Sequence, residues 1–452
     1  MFRPIPHARL DWLEYSHRFR RPNRTLLSVL ARSFLAGEPT VEETFKRASQ
    51  TLGRRWRWLR GVARRYVATL EGRTRLRQRD VVQFLRADPG FQDAWTDHSH
   101  EIWIKQWLAE PQHMQPVAAA ETWAIPILES AGALAQWLNL DPDELDWFAD
   151  LKGLCNKNIS ERLRHYHYRV LTKPSGGIRL IESPKPRLKE LQRRILAGIL
   201  EAIPAHPAVH GFVKGRSIKT FATPHVGQRV VLRMDLKDFF PSFAAARIQT
   251  FFRTLGYPES VADLLGGICT NAVPRTISKE PLYARPHLPQ GAPTSPALAN
   301  LCTYRADCRL SGLARAAGAH YTRYADDLAF SGGEEFEHGA EPFSTRAAAI
   351  LMEEGFTVNF RKTRVMRQGV RQHLAGLVAN ERLNVRRSDF DQLKAILTNC
   401  VRLGPESQNR EGHPNFQAHL DGRVGFVEHI NPQKGKRLRA IFEQIHWPSP
   451  LE

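Results

Sequence analysis

The adjacent aspartates Asp326 and Asp327 are the most chemically suggestive residues in this chain of 452 residues. They lie within Tyr321–Phe330, where residues that favour β-strands flank the acidic pair on both sides. This pattern predicts a β-hairpin whose tight turn places both carboxylates at one end of a sheet. Adjacent carboxylates repel each other unless a cation neutralises them, which suggests a divalent metal site. Taken alone, the pair is explained better by a surface turn, because aspartate is common in turns.

A third acid, Asp235, follows the apolar run Val230–Met234. The run predicts a buried strand, and active-site groups often lie where sheet strands end. If this strand and the hairpin are neighbours in one sheet, the three carboxylates lie at one edge of that sheet. Such a cluster is suited to bind two Mg²⁺ ions and to support in-line phosphoryl transfer, in which positioning and charge neutralisation supply most of the catalysis.

The charge balance indicates a nucleic-acid partner. The chain has 65 Lys and Arg residues against 46 Asp and Glu, which gives a net charge of +19 and an isoelectric point of about 10.1. That balance is expected of a protein that binds a phosphate backbone. We find no apolar segment long enough to span a bilayer, no signal-peptide pattern and no zinc-like spacing among the five cysteines. We therefore expect a cytoplasmic protein without a membrane partner.

Residues 1–116 form a basic segment in which helical periodicity dominates. Ten arginines fall within residues 54–79, and apolar residues recur at helical spacing over residues 52–70. This spacing predicts one helix that packs by its apolar stripe and presents arginines on its other face, namely Arg57, Arg60 and Arg64. These arginines form either a solvated surface or a site for RNA phosphates, and the pattern leaves both interpretations open. A further amphipathic helix is predicted around residues 102–108.

Two loops beyond this segment are candidates for nucleotide contacts. Two predicted strands surround the turn Lys173–Gly177 and form a hairpin that carries Lys173 and Arg179, a candidate clamp for a triphosphate. The loop Leu288–Pro296 contains Gln290 and begins a helix, where free N–H groups can face a phosphate. An exposed sheet edge and an ordinary capped loop are the corresponding alternatives. Residues 385–452 are basic, and a helix is predicted to begin with Ser388 as its N-cap.

Taken together, an ordered set of motifs resembles those of reverse transcriptases, and in detail those of the bacterial retron type. The motifs are Pro186–Arg193, His210–Ser217, Asp235–Ser242, Leu288–Pro296, Tyr324–Gly332 and Gly355–Thr363. The resemblance covers residues 117–452. It implies an α+β right-hand polymerase with fingers and palm over residues 117–384 and a thumb over residues 385–452. Residues 1–116 are an additional, mainly helical N-terminal region.

The resemblance also implies roles for individual residues. It makes Asp235, Asp326 and Asp327 the catalytic acids that bind two Mg²⁺ ions, and Phe240 the aromatic residue that excludes a ribose 2′-OH. The other implied nucleotide contacts are Lys173, Arg179, Asp238, Gln290 and Lys362. The predicted RNA contacts are Arg216, His225, Arg386 and Arg387, to which the N-terminal region adds Arg57, Arg60 and Arg64.

Two motifs depart from the retron pattern. The usual Asn-Ala-x-x-His motif corresponds to Phe221–His225, which keeps the alanine and histidine but not the asparagine. The usual Val-Thr-Gly motif corresponds to Leu374-Ala375-Gly376. Because these motifs are associated with RNA handling in the family, the departures concern the identity of the RNA partner and not the polymerase itself.

The expected function is therefore RNA-directed DNA synthesis. The resemblance implies that a structured noncoding RNA serves as template and primer, that dNTPs are the substrates, and that the product is branched RNA-linked DNA (msDNA). It further implies a role in antiphage defence, with a possible effector protein as partner. The alternatives are a non-retron bacterial reverse transcriptase, whether defence-associated or intron-derived, and a catalytically idle RNA-binding scaffold. Only 65 residues follow Arg387, which disfavours the intron-derived enzyme.

Overall fold

The computed structural model describes residues 22, 24–70, 76–106, 112–155, 157, 160–172 and 178–447. Within this part of the chain, α-helices are the most frequent element. In chain order they are α1 Arg24–Leu35, α2 Val41–Leu52, α3 Arg57–Ala68, α4 Gln78–Ala87, α5 Pro89–His98, α6 Ala131–Leu138, α7 Pro142–Ala149, α8 Pro186–Gly198, α9 Ile218–Ala222, α10 Ala245–Thr254, α11 Glu259–Cys269, α12 Pro281–Ala284, α13 Ser295–Cys302, α14 Tyr304–Ala316, α15 Glu334–Glu353, α16 Arg387–Leu403, α17 Phe416–Ile430 and α18 Pro432–Phe442.

The strands form three sheets. They are β1 Tyr166–Thr172, β2 Ile178–Pro184, β3 Val230–Lys237, β4 His320–Tyr324, β5 Asp327–Gly332, β6 Thr357–Val358, β7 Arg364–Arg367, β8 His373–Leu374, β9 Leu377–Val378 and β10 Asn384–Val385. The chain divides into two compact units. The first consists of the described residues of Met1–Ala202 with Ala244–Pro286, and the second of Ile203–Phe243 with His287–Glu452, again as far as described.

In the first unit, helices α1–α5 surround a core of their own, built from aliphatic residues and the rings of Phe34, Trp56, Tyr66 and Phe91. The apolar stripe predicted for residues 52–70 is buried through Leu59, Val62, Ala63 and Tyr66. The stripe belongs to two helices and not to one, because α2 ends at Leu52 and Gly53 adopts a left-handed conformation with φ of 68°. A glycine in that conformation ends a helix, and α3 begins only at Arg57.

This N-terminal helical bundle is attached to α11 within the same unit. The guanidinium of Arg77 forms ion pairs with Glu259 at 3.0 Å and with Asp263 at 2.9 Å. The backbone N–H of Gln78 donates to the Glu259 carboxylate at 2.7 Å. All of the side chains in these pairs are at most a quarter exposed, so the pairs are shielded from much of the solvent that weakens surface ion pairs.

The helix predicted around residues 102–108 is not formed in its described part. Residues 102–106 are extended or irregular, and the backbone N–H groups of Lys105 and Gln106 both donate to the carbonyl of Thr51. These bonds to α2 take the place of helical bonds, while Ile102 is buried in the core of the bundle. Residues 107 and 108 lie outside the described residues.

Elsewhere in the first unit, β1 and β2 pair antiparallel, with Thr172 opposite Ile178, as the sequence predicts. The turn between them, with Lys173, lies outside the described residues. Helix α7 begins after Asp141, whose side chain accepts from the N–H of Glu144, while Glu144 bonds back to the N–H of Asp141. This reciprocal pair is a capping box, and it explains why the helix begins there.

In the second unit, β3 is the central strand of a five-stranded antiparallel sheet. Strand β5 pairs with one edge of β3, and β6 and β7 pair with its other edge, while β4 pairs with the far side of β5. Apart from half-buried Arg233 and exposed Lys237, every residue of β3 is buried. Helix α15 packs against this sheet. The sequence-based prediction of a buried strand at this place is confirmed, but the strand continues to Lys237 and does not end at Asp235.

The C-terminal helices α16–α18 pack on one another and on the short strands β8–β10 through a shared apolar core. Helix α16 begins at Arg387 with Arg386 as N-cap, so Ser388 is not the cap. It ends at Leu403, directly before Gly404 and Pro405. None of the helices in the described residues is long and apolar enough to cross a membrane.

Candidate active site

The three predicted acids lie at one end of the central sheet. Asp235 of β3 is the antiparallel partner of Asp327 of β5, and side chains of directly opposite residues point to the same face of a sheet. Ala325 and Asp326 form a two-residue turn between β4 and β5, and Asp327 is the first residue of β5. The carbonyl of Asp326 accepts a bond of 2.9 Å from the N–H of Leu236. The backbone therefore brings together carboxylates that are 91 residues apart in the sequence.

Two of these acids face cations. The Asp235 carboxylate, with only 3% of the residue exposed, accepts from Lys362 Nζ at 2.9 Å and from Asn359 Nδ2 at 3.0 Å. Asp327 Oδ1 accepts from Arg233 Nη2 at 2.7 Å and from Arg233 Nε at 3.0 Å. Lys362, predicted as a nucleotide contact, is thus a direct neighbour of Asp235.

The surroundings of the third acid, Asp326, disfavour its charged form. Burial, followed by the negative charge of Asp327 and, more weakly, of Asp235, raises the pKa of Asp326 to about 6. A carboxylate that is hard to ionise because it is buried and because other carboxylates lie nearby is stabilised by a cation. Oxygen ligands of this kind suit a hard divalent ion such as Mg²⁺.

The donor set therefore fits a divalent ion, although the side chains do not form a closed metal cage. Among the described residues, no group of three or more His, Cys, Asp or Glu side chains is arranged as a metal site. In this conformation Lys362 forms an ion pair with Asp235, and Arg233 forms one with Asp327. A metal ion at this place would compete with these cations for the carboxylate oxygens, although Arg233 contacts only Oδ1 of Asp327.

A fully buried ion pair supports the turn that carries Asp326. Arg323 and Asp307, both 0% exposed, form two hydrogen bonds of 2.7 and 2.8 Å. Arg323 Nη1 also donates to the carbonyl of Ala325 at 3.1 Å and to Asn300 Oδ1 at 3.1 Å. Ala325 has a φ of 55°, a conformation that is unfavourable for a residue with a Cβ. Arg323 thus stabilises an unfavourable turn conformation next to the predicted catalytic acids.

The segment 206–211 lies directly beside this hairpin. The N–H of Arg323 donates to the carbonyl of Ala208, and the N–H of His210 donates to the carbonyl of Arg323, both at 2.7 Å. A Cβ at Gly211 would lie 2.7 Å from the backbone nitrogen of Ala325, so only glycine fits so close to the turn. Asn300 completes the contact by donating to the carbonyl of Gly211 at 2.8 Å.

Two residues predicted to contact RNA are bound to protein at this place. Arg216 Nη1 donates to the carbonyl of Pro207 at 2.7 Å and also to that of Val209, so Arg216 holds the segment beside the hairpin. His225 is fully buried, with Nδ1 and Nε2 each 2.7 Å from the hydroxyl groups of Ser331 and Thr322. Ser331 lies on β5 and Thr322 on β4, so His225 links the two strands. Its buried ring cannot contact RNA in this structure.

The predicted nucleotide contacts of the second unit follow β3 or lie in a separate loop. Asp238 has a φ of 48°, which bends the chain away from β3 so that Phe240 begins a short 3-10 helix. Half-buried Gln290 precedes Gly291, whose φ of 135° suits only glycine. Arg179 lies on β2, in the other compact unit, and its contact with a nucleotide stays a prediction.

Phe212 is a residue that sequence reasoning did not single out as part of the site. The residue is 53% exposed, and the centroid of its ring lies 6.3 Å from that of Phe240 and 6.1 Å from that of Tyr324. It also has a φ of 59°, which is uncommon for a bulky residue and often marks a functional position. The motif His210–Ser217 contained this residue, but nothing in the local pattern indicated its conformation.

The remaining predicted RNA contacts lie on exposed helix positions. Arg386 and Arg387 form the N-terminal end of α16, and Arg387 pairs with Asp391 at 3.4 Å. Arg57, Arg60 and Arg64 are all exposed on α3. Of these three, Arg60 binds Glu42 through Nη2 at 2.7 Å.

Comparison with known proteins gives a consistent assignment. Residues 171–389 match the family "Reverse transcriptase (RNA-dependent DNA polymerase)". The chain is 46% identical over 285 residues to the retron Mx65 reverse transcriptase of Myxococcus xanthus, an alignment that covers 62% of this chain and 64% of the relative. It is 38% identical over 342 residues to the retron Mx162 reverse transcriptase of the same species, with 70% and 67% covered.

A more distant relative is the retron Ec86 reverse transcriptase of Escherichia coli. It is 32% identical over 286 residues, and the alignment covers 62% of this chain and 82% of the relative. The chain thus spans about two thirds of the length of the two Myxococcus enzymes. A reverse transcriptase domain implies the right-hand polymerase fold, and enzymes with this domain generally use divalent metal ions. With alignments of this length and identity, the chain belongs to the retron reverse transcriptase family.

Proposed function

We propose that this chain is an active RNA-directed DNA polymerase that uses a structured noncoding RNA as template and primer, with Asp235, Asp326 and Asp327 as the ligands of two Mg²⁺ ions. The observation that carries the proposal is the antiparallel pairing of Asp235 with Asp327, which places the third acid, Asp326, directly beside them. Bound there, divalent ions supply the charge neutralisation that the attacking and leaving oxygens of phosphoryl transfer require.

The residues around the acids position the nucleotide. Lys362 exchanges the Asp235 carboxylate, to which it donates at 2.9 Å, for a phosphate oxygen of the incoming dNTP. Because a lysine ammonium carries three donors on a flexible stem, it can make this exchange without a change of backbone. Arg233 releases Asp327 in the same way. Lys173 and Arg179 contact the triphosphate, and Asp238 and Gln290 the remainder of the nucleotide.

Phe240 provides the selection for deoxyribose. Its ring packs beside those of Phe212 and Phe239, so it is held in place by neighbours on two sides. A rigid ring close to the ribose leaves no space for a 2′-OH. The enzyme therefore incorporates dNTPs, and the product is DNA.

The finer details of the reaction follow the retron pattern. We propose that synthesis starts from an internal 2′-OH of the noncoding RNA and gives branched RNA-linked DNA, with Arg386 and Arg387 of α16 among the RNA contacts. A role in antiphage defence together with an effector protein is part of this proposal. The relatives are named as retron reverse transcriptases, which supports the retron alternative over other bacterial reverse transcriptases.

Primer extension tests the polymerase. The full chain should extend a DNA primer annealed to an RNA template with Mg²⁺ and dNTPs. The double variant Asp326→Asn with Asp327→Asn should give no extension, because two of the three metal ligands lose their charge. The matched control is Asp143→Asn with Asp146→Asn, which neutralises two exposed acids on α7 and should extend like the unchanged protein. Equal extension by both double variants would refute the proposal.

A second arm separates the retron enzyme from other reverse transcriptases. The candidate template is a structured RNA encoded beside this reading frame, supplied without any primer. The retron alternative predicts a DNA product that remains attached to the RNA and is released by debranching of the 2′–5′ linkage. Extension of annealed primers only, with no self-primed product, would favour a non-retron reverse transcriptase.

A further inference from the structure

A groove in the N-terminal helical bundle is lined mainly by cations and amides. It has a volume of about 790 Å³, and its lining is Glu42, Lys46, Ser49, Gln50, Gly53, Arg54, Arg55, Lys105 and Gln106. Four of these residues carry a positive charge and one carries a negative charge. The groove lies within the first compact unit, far along the chain from the catalytic acids.

The backbone holds the walls of this groove in place. Thr51, near the end of α2, accepts hydrogen bonds from the N–H groups of Lys105 at 2.9 Å and Gln106 at 3.2 Å. Gly53 makes this approach possible, because a Cβ there would lie 2.2 Å from Lys105 Cδ. The backbone of Lys105 is thus held against the end of α2, and the exposed side chains of Lys105 and Lys46 both line the groove.

A buried hydroxyl group in the lining lacks a partner. Ser49 is 6% exposed, and its Oγ has no hydrogen-bond partner among the described residues. Buried hydroxyl groups are normally paired, so an unpaired one that lines an open groove marks a place where a ligand can supply the missing partner. The surrounding cations select an anionic ligand with acceptor oxygens.

Three of the four cations that line the groove form exposed ion pairs, and Arg54 and Arg55 also lie over the rings of Trp56 and Phe45. Lys46 lies 3.4 Å from Glu43, Arg54 lies 2.7 Å from Glu101, and Arg55 lies 3.9 Å from Glu42. In every pair both side chains are more than two fifths exposed. Such pairs contribute little free energy, so a phosphate can replace the carboxylate at small cost.

The charged surface continues onto α3 and includes an aromatic ring. Arg60 binds Glu42, a member of the groove lining, and Arg57 and Arg64 lie one turn to either side of it on the same exposed face. Trp103 is 68% exposed and precedes Lys105 by two residues. An exposed tryptophan beside cations is typical of surfaces on which bases of single-stranded nucleic acids stack.

We propose that this groove, together with the arginine face of α3, binds a single-stranded segment of RNA. Its phosphates contact Lys46, Arg55 and Lys105, the Ser49 hydroxyl donates to a phosphate oxygen, and a base stacks on Trp103. Contacts of this kind hold RNA without reading its sequence. The choice of RNA over DNA rests on the proposed function, in which RNA is the substrate that the enzyme must retain.

The test uses the full-length protein and a fluorescent oligouridylate, without dNTPs or divalent ions, with binding measured by fluorescence anisotropy at several KCl concentrations. The groove variant is Lys46→Gln with Arg55→Gln and Lys105→Gln. We expect at least a tenfold loss of affinity at low salt. We also expect the slope of log K against log salt to become shallower by about 2, because each lost phosphate contact on a single strand removes about 0.7.

The matched control removes three exposed arginines of the same bundle that do not line the groove. It is Arg24→Gln with Arg32→Gln and Arg86→Gln, and its affinity and salt slope should equal those of the unchanged protein. Equal losses in the groove variant and in this control would overturn the proposal, since the effect would then be one of net charge.

Two single variants separate a binding role from a structural one. Ser49→Ala should reduce RNA affinity severalfold without lowering the melting temperature, because it removes an unpaired buried hydroxyl. Trp103→Ala should reduce affinity while leaving the salt slope unchanged, since stacking involves no counterion release. Unchanged RNA affinity in both variants would overturn the proposal.

Further arms identify the ligand. Oligodeoxythymidylate replaces RNA in one arm, and vesicles of acidic phospholipid replace it in another. Loss of DNA binding or of vesicle binding in the groove variant, with RNA binding unchanged, would contradict the proposal. Because these measurements involve no synthesis, groove-dependent RNA binding by a protein that extends no primer would refute the proposed polymerase and leave the groove assignment in place.

Discussion

At the scale of single residues, Phe240 gives the most direct readout of substrate choice. Its ring is restrained by Phe212 and Phe239, and the bend at Asp238 positions it after β3. Phe240→Ala should raise incorporation of rNTPs relative to dNTPs by roughly 10- to 100-fold, since it removes the ring that we propose excludes the 2′-OH. Single-nucleotide extension with each substrate measures the ratio.

The control for this variant is Phe426→Ala, which truncates an exposed phenylalanine of α17 and should leave the ratio unchanged. A Phe240→Ala enzyme that rejects rNTPs as strongly as the unchanged protein would show that another group provides the selection.

The burial of His225 predicts how the stability of the protein depends on pH. Burial lowers its pKa from the ordinary 6.5 to about 3, and the nearby His320 and His210 add to this effect. The unfolded chain therefore binds a proton that the folded chain does not, once the pH falls below 6.5. The contribution of His225 to the free energy of unfolding is complete above that pH and is lost at about 1.4 kcal/mol per pH unit as the pH falls towards 3.

His225→Gln removes this contribution together with the bonds to Ser331 and Thr322. Urea unfolding should show the variant less stable at pH 7.5, with the difference from the unchanged protein becoming smaller by about 2 kcal/mol at pH 5. A difference that is the same at both pH values would mean that His225 does not titrate in this way.

At the scale of elements, the β4–β5 hairpin depends on the buried pair of Arg323 and Asp307. Arg323→Met leaves the Asp307 carboxylate buried without its cationic partner, and should lower the free energy of unfolding by about 3–5 kcal/mol. Adding Asp307→Leu should recover part of this loss, because no unpaired charge remains buried. Urea unfolding of the two variants measures both effects.

The same double variant should remain a poor polymerase. It lacks the bonds from Arg323 Nη1 to the carbonyl of Ala325 and to Asn300 Oδ1, so the turn that carries Asp326 loses its support. Full extension by a stably folded double variant would show that the buried pair serves folding alone.

Sequence patterns predicted well those strands and hairpins that a single local segment determines. Alternating or apolar runs and turn residues predicted the strand that contains Asp235, the hairpin around Asp326 and the hairpin of β1 and β2. The end of the first strand was placed two residues too early, because β3 continues to Lys237. The break between α2 and α3 was not predicted, although Gly53 was a visible signal. The helix expected from residue 102 failed because its N–H groups bond to Thr51, some fifty residues earlier.

At the scale of the whole molecule, the surroundings of residues whose partners are distant in sequence were the hardest to predict. A motif indicates that His225 and Arg216 matter, but not that one is buried between two strands and the other is bound to backbone carbonyls. The pairing of Asp235 with Asp327 is likewise a property of the sheet and not of either segment. The net charge of +19 indicated a nucleic-acid partner, but the groove beside Ser49 became visible only with the fold.

The most direct test of the three-acid site is a Mg²⁺ titration of primer extension on an RNA template by Asp235→Asn, Asp326→Asn and Asp327→Asn, each alone. Because the proposed site uses all three carboxylates to bind the same ions, every variant should lose roughly 10²-fold or more in rate, and added Mg²⁺ should restore none of them to the rate of the unchanged protein. Extension at the unchanged rate by any one of the three would contradict a shared metal site.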